Sequence, residues 1–158
     1  MLRKLWVIAA ISFSICWAGV VTADEEKPEK PEAEFRSPKA GEEVQRSYRA
    51  KGRTRNVPKG HVVILFRTVQ ESGFLYPCTE PFKGNRTFSH TVNHEKTDLG
   101  THALHVRIVP EDVAKKINKW RTEIIKWHEG GKKGKGPTFT QGWMKETTDL
   151  ARVEYRLE

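Results

Sequence analysis

An alternation of apolar and polar side chains recurs from residue 43 to the C-terminus, and its two-residue period predicts β-strands. The run HVVILFRTV at residues 61–69 is apolar at nearly every position, which predicts a central strand with both faces buried. Glycine and charged residues interrupt the pattern at residues 52–56, which are predicted to form a loop. The predicted strands, about seven in all, include residues 43–51, 61–69, 74–77, 86–92, 101–109 and 150–157.

The last two predicted strands each have one apolar face. Because successive side chains of a strand point to opposite faces, each strand can bury that face in a core. The other face of residues 101–109 holds polar side chains such as His105 and Arg107 and is expected to meet solvent. The two inward faces consist of Leu104, Val106 and Ile108 in one strand and of Val153, Tyr155 and Leu157 in the other.

At Pro110 the spacing of the apolar positions changes to the three or four residues of a helix. Proline suits the first turn of a helix, and two glycines follow residue 129, so a helix is predicted over about residues 110–129. Such a regular stripe favours packing against the domain itself, and docking on a membrane or a partner is the alternative. The stripe consists of Val113, Ile117, Trp120, Ile124 and Trp127.

Short strands with one helix before the last of them, and no alternation of strands with helices, favour an antiparallel β-sandwich. Four stretches resemble the immunoglobulin-like modules that bacteria append to secreted and surface proteins: residues 37–44, 57–67, 75–77 and 86–89. The resemblance covers most of residues 37–157. It implies a mainly β, immunoglobulin-like antiparallel sandwich of about seven strands with an inserted amphipathic helix, and an accessory role without a reaction.

The N-terminus has the composition of an export signal. Arg3 and Lys4 precede an apolar run over residues 5–21, and small residues up to Ala23 fit a cleavage site after it. Residues 1–23 are therefore predicted to be a signal peptide, and the rest of the chain is expected in an extracytoplasmic space, either periplasmic or secreted. An uncleaved signal anchor is the alternative, and contact with a membrane is expected only in that case.

Charge divides the remaining chain into two parts. Residues 24–34, DEEKPEKPEAE, carry six acidic and two basic residues and lack large apolar side chains, which predicts a disordered spacer. Residues 35–158 carry 24 basic and 14 acidic residues, a net charge of +10, and their length suits one domain. A positive field favours anionic partners, although the same charge is also typical of a soluble basic surface.

Two basic stretches of this domain are candidates for binding an anionic partner. The candidate residues are Arg49, Lys51, Arg53 and Arg55 in the first stretch and Lys132, Lys133 and Lys135 in a glycine-rich loop. The expected partner is an acidic polysaccharide or an envelope protein, nucleic acid is not expected, and Tyr76 or Trp143 could stack on sugar rings. The chain is therefore predicted to be an exported, non-enzymatic binding or assembly module of the cell envelope.

Residues suited to catalysis or metal binding are few. Without the signal, Cys78 is the only cysteine, so no disulfide can form within the chain, and burial as a small apolar residue is its simplest role. Among six histidines, a metal site could be built from His90, His94 and Asp98 or His102, although surface or loop histidines are the simpler interpretation. No catalytic residue, metal or cofactor is predicted. The alternative function is a small metal-assisted or cysteine-dependent extracytoplasmic enzyme.

Overall fold

The computed structural model describes residues 29–69, 73–96 and 98–158. The predicted signal peptide at residues 1–23, and the predicted spacer up to residue 28, lie outside the described residues. The elements of the described part, in chain order, are β1 (Glu32–Ser37), β2 (Glu43–Val44), β3 (Ser47–Arg55), β4 (His61–Val69), β5 (Phe74–Pro77), β6 (Thr87–Asn93), β7 (Gly100–Pro110), α1 (Glu111–Glu129), α2 (Gly142–Lys145) and β8 (Thr148–Leu157).

The strands form two sheets. The three-stranded sheet has the order β1, β3, β6, and the five-stranded sheet has the order β2, β8, β7, β4, β5. Every pairing is antiparallel except that of β2 with β8. The prediction of a mainly β domain with one long helix before the last strand is therefore confirmed.

The larger cluster of buried side chains belongs to both sheets. Val63 and Leu65 of β4 are fully buried in it, and the same cluster contains Ala50 of β3 and Val92 of β6. The sheets therefore share one core. The inward faces predicted for the last two strands are confirmed, because the cluster also contains Leu104, Val106, Ile108, Val153, Tyr155 and Leu157.

Helix α1 covers the other face of the five-stranded sheet. Ile64, Phe66 and Val109 belong to β4 and β7, and they form a second buried cluster with Val113 and Ile117 of the helix. The apolar stripe of the helix therefore packs against its own domain, as favoured from the sequence. In the described part of the chain, no helix is both long enough and apolar enough to span a membrane.

Strand β3 runs through residues that were predicted to form a loop. The loop prediction is wrong for residues 52–55, because Gly52 and Thr54 continue the inward series of the strand and are buried. This stretch pairs on one side with β1 and on the other with β6. The strand predicted over residues 43–51 is also divided, since β2 ends at Val44 and β3 begins at Ser47.

Strand β1 includes the last three residues of the predicted spacer. Glu32, Ala33 and Glu34 pair with Arg55, Thr54 and Arg53 of β3. Ala33 and Phe35 also pack against the core between the sheets, so the structured part begins before Phe35. Composition alone suggested disorder here because the contacts that order this segment come from residues about 20 positions away in the chain.

Strand β7 is buried on both faces, so the expected exposure of its second face is wrong. Ala103 and His105 on that face are 4% and 7% exposed. The strand lies between β8 and β4, and the outer side of this sheet carries α1 together with Phe139 and Trp143. Polar residues on a strand face can be buried when neighbouring strands supply hydrogen bonds, and His105 has such partners.

Gly52 is required where β1 and β6 approach β3. A Cβ atom at this position would collide with the main-chain oxygen of Glu34 and with the ring of Phe88. We expect Gly52→Ala to lower the free energy of unfolding by about 1–3 kcal/mol, because backbone or ring must shift. Gly142→Ala is the matched control, since its Cβ would meet only Thr140 at an ordinary distance of 3.8 Å. Denaturant unfolding of both variants measures the difference, and equal stabilities would contradict the close approach.

Candidate functional site

Four exposed cations form a row on the outer face of the three-stranded sheet. Arg49, Lys51, Arg53 and Arg55 occupy alternate positions of β3, so their side chains leave the same face of the sheet. Successive Cα atoms in such a series are about 7 Å apart, which makes the row about 20 Å long. We call these four residues the cation row. The structure thus brings together the first of the two candidate stretches.

The flanks of the cation row differ. On the β1 side, Glu32 lies opposite Arg55 and Glu34 lies opposite Arg53. On the β6 side the row is bordered by hydroxyl side chains. On either side, no carboxylate oxygen in the described part of the chain lies within 4.0 Å of a side-chain nitrogen of the four cations. The bordering hydroxyl residues are Thr87, Ser89 and Thr91.

The second candidate stretch lies in another layer of the molecule. Lys132, Lys133 and Lys135 follow α1, which packs on the five-stranded sheet, whereas the cation row lies on the three-stranded sheet. The indole nitrogen of Trp127 donates to the main-chain oxygens of Lys133 (3.1 Å) and Gly134 (3.3 Å), which holds the loop against the end of the helix. Among the described residues, no hydrogen bond or ion pair joins the loop to the cation row.

The aromatic side chains suggested for sugar stacking are both half-buried. The ring centroids of Tyr76 and Trp120 are 5.8 Å apart, and the guanidinium of Arg67 lies 5.3 Å from the centroid of the Tyr76 ring. Trp143 packs 5.2 Å from Phe139. Both rings therefore make aromatic contacts within the protein, and neither lies on the strand that carries the cation row.

A polar cluster that sequence reasoning missed lies at one end of the core. It consists of Arg67, His94, Asp98 and Tyr155, and we call it the Arg67 cluster. Arg67 Nη1 donates to Asp98 Oδ2 over 2.6 Å, and His94 Nδ1 lies 3.2 Å from the same oxygen. His94 Nε2 lies 2.9 Å from the hydroxyl oxygen of Tyr155. In the sequence, His94 and Asp98 stood out only as possible metal ligands, and the signal for Arg67 was a charged residue at the end of the apolar strand β4.

Burial and Arg67 set the protonation states of this cluster. The His94 side chain is fully buried, and desolvation, assisted by the positive charge of Arg67, lowers its pKa to about 4. Burial acts to raise the pKa of Asp98, but the hydrogen bond and charge of Arg67 outweigh it and hold that pKa below its ordinary value. Burial raises the pKa of Tyr155. At neutral pH the cluster therefore pairs a charged Arg67 and Asp98 with a neutral imidazole.

The residues considered for a metal site are only partly brought together. His94 and Asp98 are in contact, and the His102 ring lies 4.8 Å from that of His94. His90 packs instead on Phe82, with ring centroids 4.5 Å apart. Within residues 29–69, 73–96 and 98–158, no group of three or more histidine, cysteine or acidic side chains could hold a metal ion.

A second hydrogen-bonded chain crosses the outer face of the five-stranded sheet. Thr68 Oγ1 lies 3.0 Å from His105 Nε2, and His105 Nδ1 lies 2.7 Å from Asp149 Oδ2. The order hydroxyl, imidazole, carboxylate is also that of hydrolase triads. Here the three side chains come from β4, β7 and β8 of one sheet and His105 is buried, so the contacts tie three strands together.

An open cleft lies between the β6 edge, β5 and the second half of α1. Its volume is about 580 Å³, and its lining includes Arg67, Tyr76, Cys78, Thr91, Asn93 and Arg121. The two arginines differ: Arg67 binds Asp98, whereas Arg121 makes one long contact, 3.4 Å from its Nη2 to the main-chain oxygen of Cys78, and its buried Nε has no hydrogen-bond partner. The lining also contains the carboxylates of Glu95, Asp98 and Glu129. It therefore combines charges of both signs with aromatic and hydrogen-bonding groups, which suits a peptide or another polar ligand.

No protein-family model matches this chain, and no curated protein matches it either.

The pKa of His94 gives stability a defined pH dependence. Because the pKa is about 4 in the folded protein and about 6.5 when unfolded, the unfolded chain takes up a proton in this window that the folded protein does not. The free energy of unfolding should fall by roughly 2–3 kcal/mol as the pH is lowered from 6.5 to 4. Unfolding curves of His94→Gln should show a smaller fall, and the exposed-site control His128→Gln should behave like wild type. An equal fall in all three proteins would contradict the assignment.

Cys78 is expected to react slowly. Burial raises the pKa of its thiol from 9.0 to about 12, which leaves about a thousandfold less thiolate than an ordinary thiol has at the same pH. In protein comprising residues 24–158, alkylation by iodoacetamide at pH 8, followed by mass spectrometry, should be at least about 100-fold slower in the folded state than in guanidinium chloride. Similar rates would identify a reactive thiol and would favour the cysteine-dependent enzyme.

Proposed function

We propose that the protein is an exported, non-enzymatic binding module of the cell envelope that holds an anionic polymer, such as an acidic polysaccharide, on its three-stranded sheet. The cation row carries the proposal. Four positive charges at regular intervals on an open face complement a polymer with repeated negative charges better than they complement one small anion.

The polymer would lie along β3. The carboxylates of Glu32 and Glu34 restrict one side of the row, so the polymer is expected to approach from the β6 side. There the hydroxyls of Thr87, Ser89 and Thr91 border the row and can hydrogen-bond to sugar hydroxyl or carboxylate groups. The net charge of +10 over residues 35–158 adds a long-range attraction that salt weakens.

Export and the immunoglobulin-like fold are parts of the same proposal. They rest on the signal sequence at residues 1–23 and on the resemblance to bacterial secreted modules, and two mainly antiparallel sheets with a common core are compatible with that fold. The raised pKa of Cys78 counts against a cysteine-dependent enzyme. We place the Lys132 to Lys135 loop outside the main binding surface, because it lies in another layer.

Dextran sulfate and unsulfated dextran test the proposal, because they share one backbone and differ in charge. Protein comprising residues 24–158 should bind dextran sulfate with an affinity that falls as salt rises, and should not bind dextran. The double variant Lys51→Gln/Arg53→Gln should bind at least about tenfold more weakly, with the slope of log K against log salt reduced by one to two.

A control separates the cation row from general charge. The variant Lys116→Gln/Lys119→Gln removes the same charge from exposed positions of α1 and should lose much less affinity, as should Lys132→Gln/Lys133→Gln in the loop. Isothermal titration calorimetry at two salt concentrations measures all four proteins. If the three double variants weaken binding equally, charge is a general property of the surface and the proposed site is wrong.

A further inference from the structure

Strand β6 has a free edge. The main-chain N–H of Thr54 donates to the main-chain oxygen of Arg86, and the main-chain N–H of His94 donates to the main-chain oxygen of Arg46. The even-numbered residues of this strand therefore direct their main-chain hydrogen-bonding groups toward β3. In an antiparallel ladder the residues at the alternate, odd-numbered positions point their main-chain N–H and C=O groups away from the paired strand. Those residues have no main-chain hydrogen bond in the described part of the chain, and they are Thr87, Ser89, Thr91 and Asn93.

The other edge strands in the described part are protected. Beyond the two residues that β2 covers, the open side of β8 carries charged residues, namely Asp149, Arg152 and Glu154. Strand β1 has a register shift between Phe35 and Ser37, β2 has two residues, and β5 has four and ends at Pro77. Bulges, short strands and proline are the features that keep edges from pairing with other chains. Strand β6 has seven residues in unbroken register with β3, and its outward side chains at positions 87, 89, 91 and 93 are uncharged.

Space for a further strand lies beside this edge. The cleft of about 580 Å³ continues into a cavity of about 360 Å³, and the two share Cys78, Thr91 and Arg121. Tyr76 and Cys78 in its lining are only half-buried. The three-stranded sheet therefore leaves part of the five-stranded sheet uncovered. A strand added to β6 would lie over this part, with alternate side chains pointing into the cleft.

Arg121 indicates the chemistry of the incoming segment. Its Nε is buried and has no hydrogen-bond partner, its Nη2 makes one long contact of 3.4 Å with the oxygen of Cys78, and no carboxylate lies within 4.0 Å of it among the described residues. A guanidinium pairs best with a carboxylate, which can accept from two of its nitrogens. An acidic side chain directed into the cleft would supply this partner.

We propose that the β6 edge and its cleft bind an extended acidic segment of a partner protein by strand addition, with a carboxylate of that segment on Arg121. Main-chain hydrogen bonds to residues 87, 89, 91 and 93 provide most of the affinity, and Arg121 provides selectivity. The net charge of +10 over residues 35–158 attracts an acidic segment at long range. Within the cleft, Glu95, Asp98 and Glu129 restrict the place of its carboxylate to Arg121. This site borders the cation row and uses the main chain of Thr87, Ser89 and Thr91 rather than their side chains, and the proposal does not depend on polymer binding.

The test uses a blocked synthetic octapeptide in which glutamate alternates with valine, and the same peptide with glutamine in place of glutamate. Fluorescence anisotropy should show binding of the glutamate peptide and at least about tenfold weaker binding of the glutamine peptide. Hydrogen exchange followed by NMR should show new protection of the amides of residues 87, 89, 91 and 93. Binding without that protection would overturn the proposal.

Three variants complete the test. Thr91→Pro removes a main-chain N–H that points away from β3, so no hydrogen bond to β3 is lost. An edge strand tolerates proline at such a position, and the variant should abolish measurable peptide binding. Arg121→Gln leaves the edge intact and should reduce the preference for glutamate over glutamine. Lys51→Gln/Arg53→Gln is the control: its charges lie one strand away from the edge, opposite Ser89 and Thr87, so it should weaken peptide binding far less than Thr91→Pro does and only by an amount that salt removes. If the control loses binding as Thr91→Pro does, the peptide occupies the cation row and the proposed edge site is wrong.

Discussion

Strand β4 must be buried on both faces, and the rest of the structure depends on this requirement. Val63 and Leu65 on one face and Ile64 and Phe66 on the other are all fully buried. A sheet on one side and a helix on the other are needed to cover such a strand. The three-stranded sheet meets the first need and α1 the second, so one stretch of nine residues determines the order of the layers.

Both polar networks begin where the apolar part of β4 ends. Arg67 continues the inward face and meets Asp98 and His94, whereas Thr68 continues the outward face and meets His105. Burial of the Arg67 charge would be costly without these partners. The Arg67 cluster therefore fixes the segment that follows β6 to β4 and, through Tyr155, to β8. It closes one end of the core beside the His102 ring, whose buried nitrogens have no hydrogen-bond partner among the described residues.

Local patterns were sufficient for the elements whose cause is local. The apolar run of β4, the inward face of β8 and the stripe of α1 could be predicted because each element buries its own apolar side chains. Gly52 and Thr54 could not be assigned to a strand, since the reason for their conformation is the approach of β1 and Phe88. Likewise the sequence placed Arg49 and its neighbours in a basic stretch, but their common face required β3 to extend to Arg55.

Small inward residues on β3 separate the packing of the domain from its surface. Ala50, Gly52 and Thr54 fill the inner side of the strand, while every charge of the cation row lies on the outer side. Substitutions on the outer side therefore leave the contacts of the core unchanged. Through evolution, such a strand can acquire a new arrangement of charges while the fold is conserved. The charge pattern of this surface is in this sense evolvable one residue at a time.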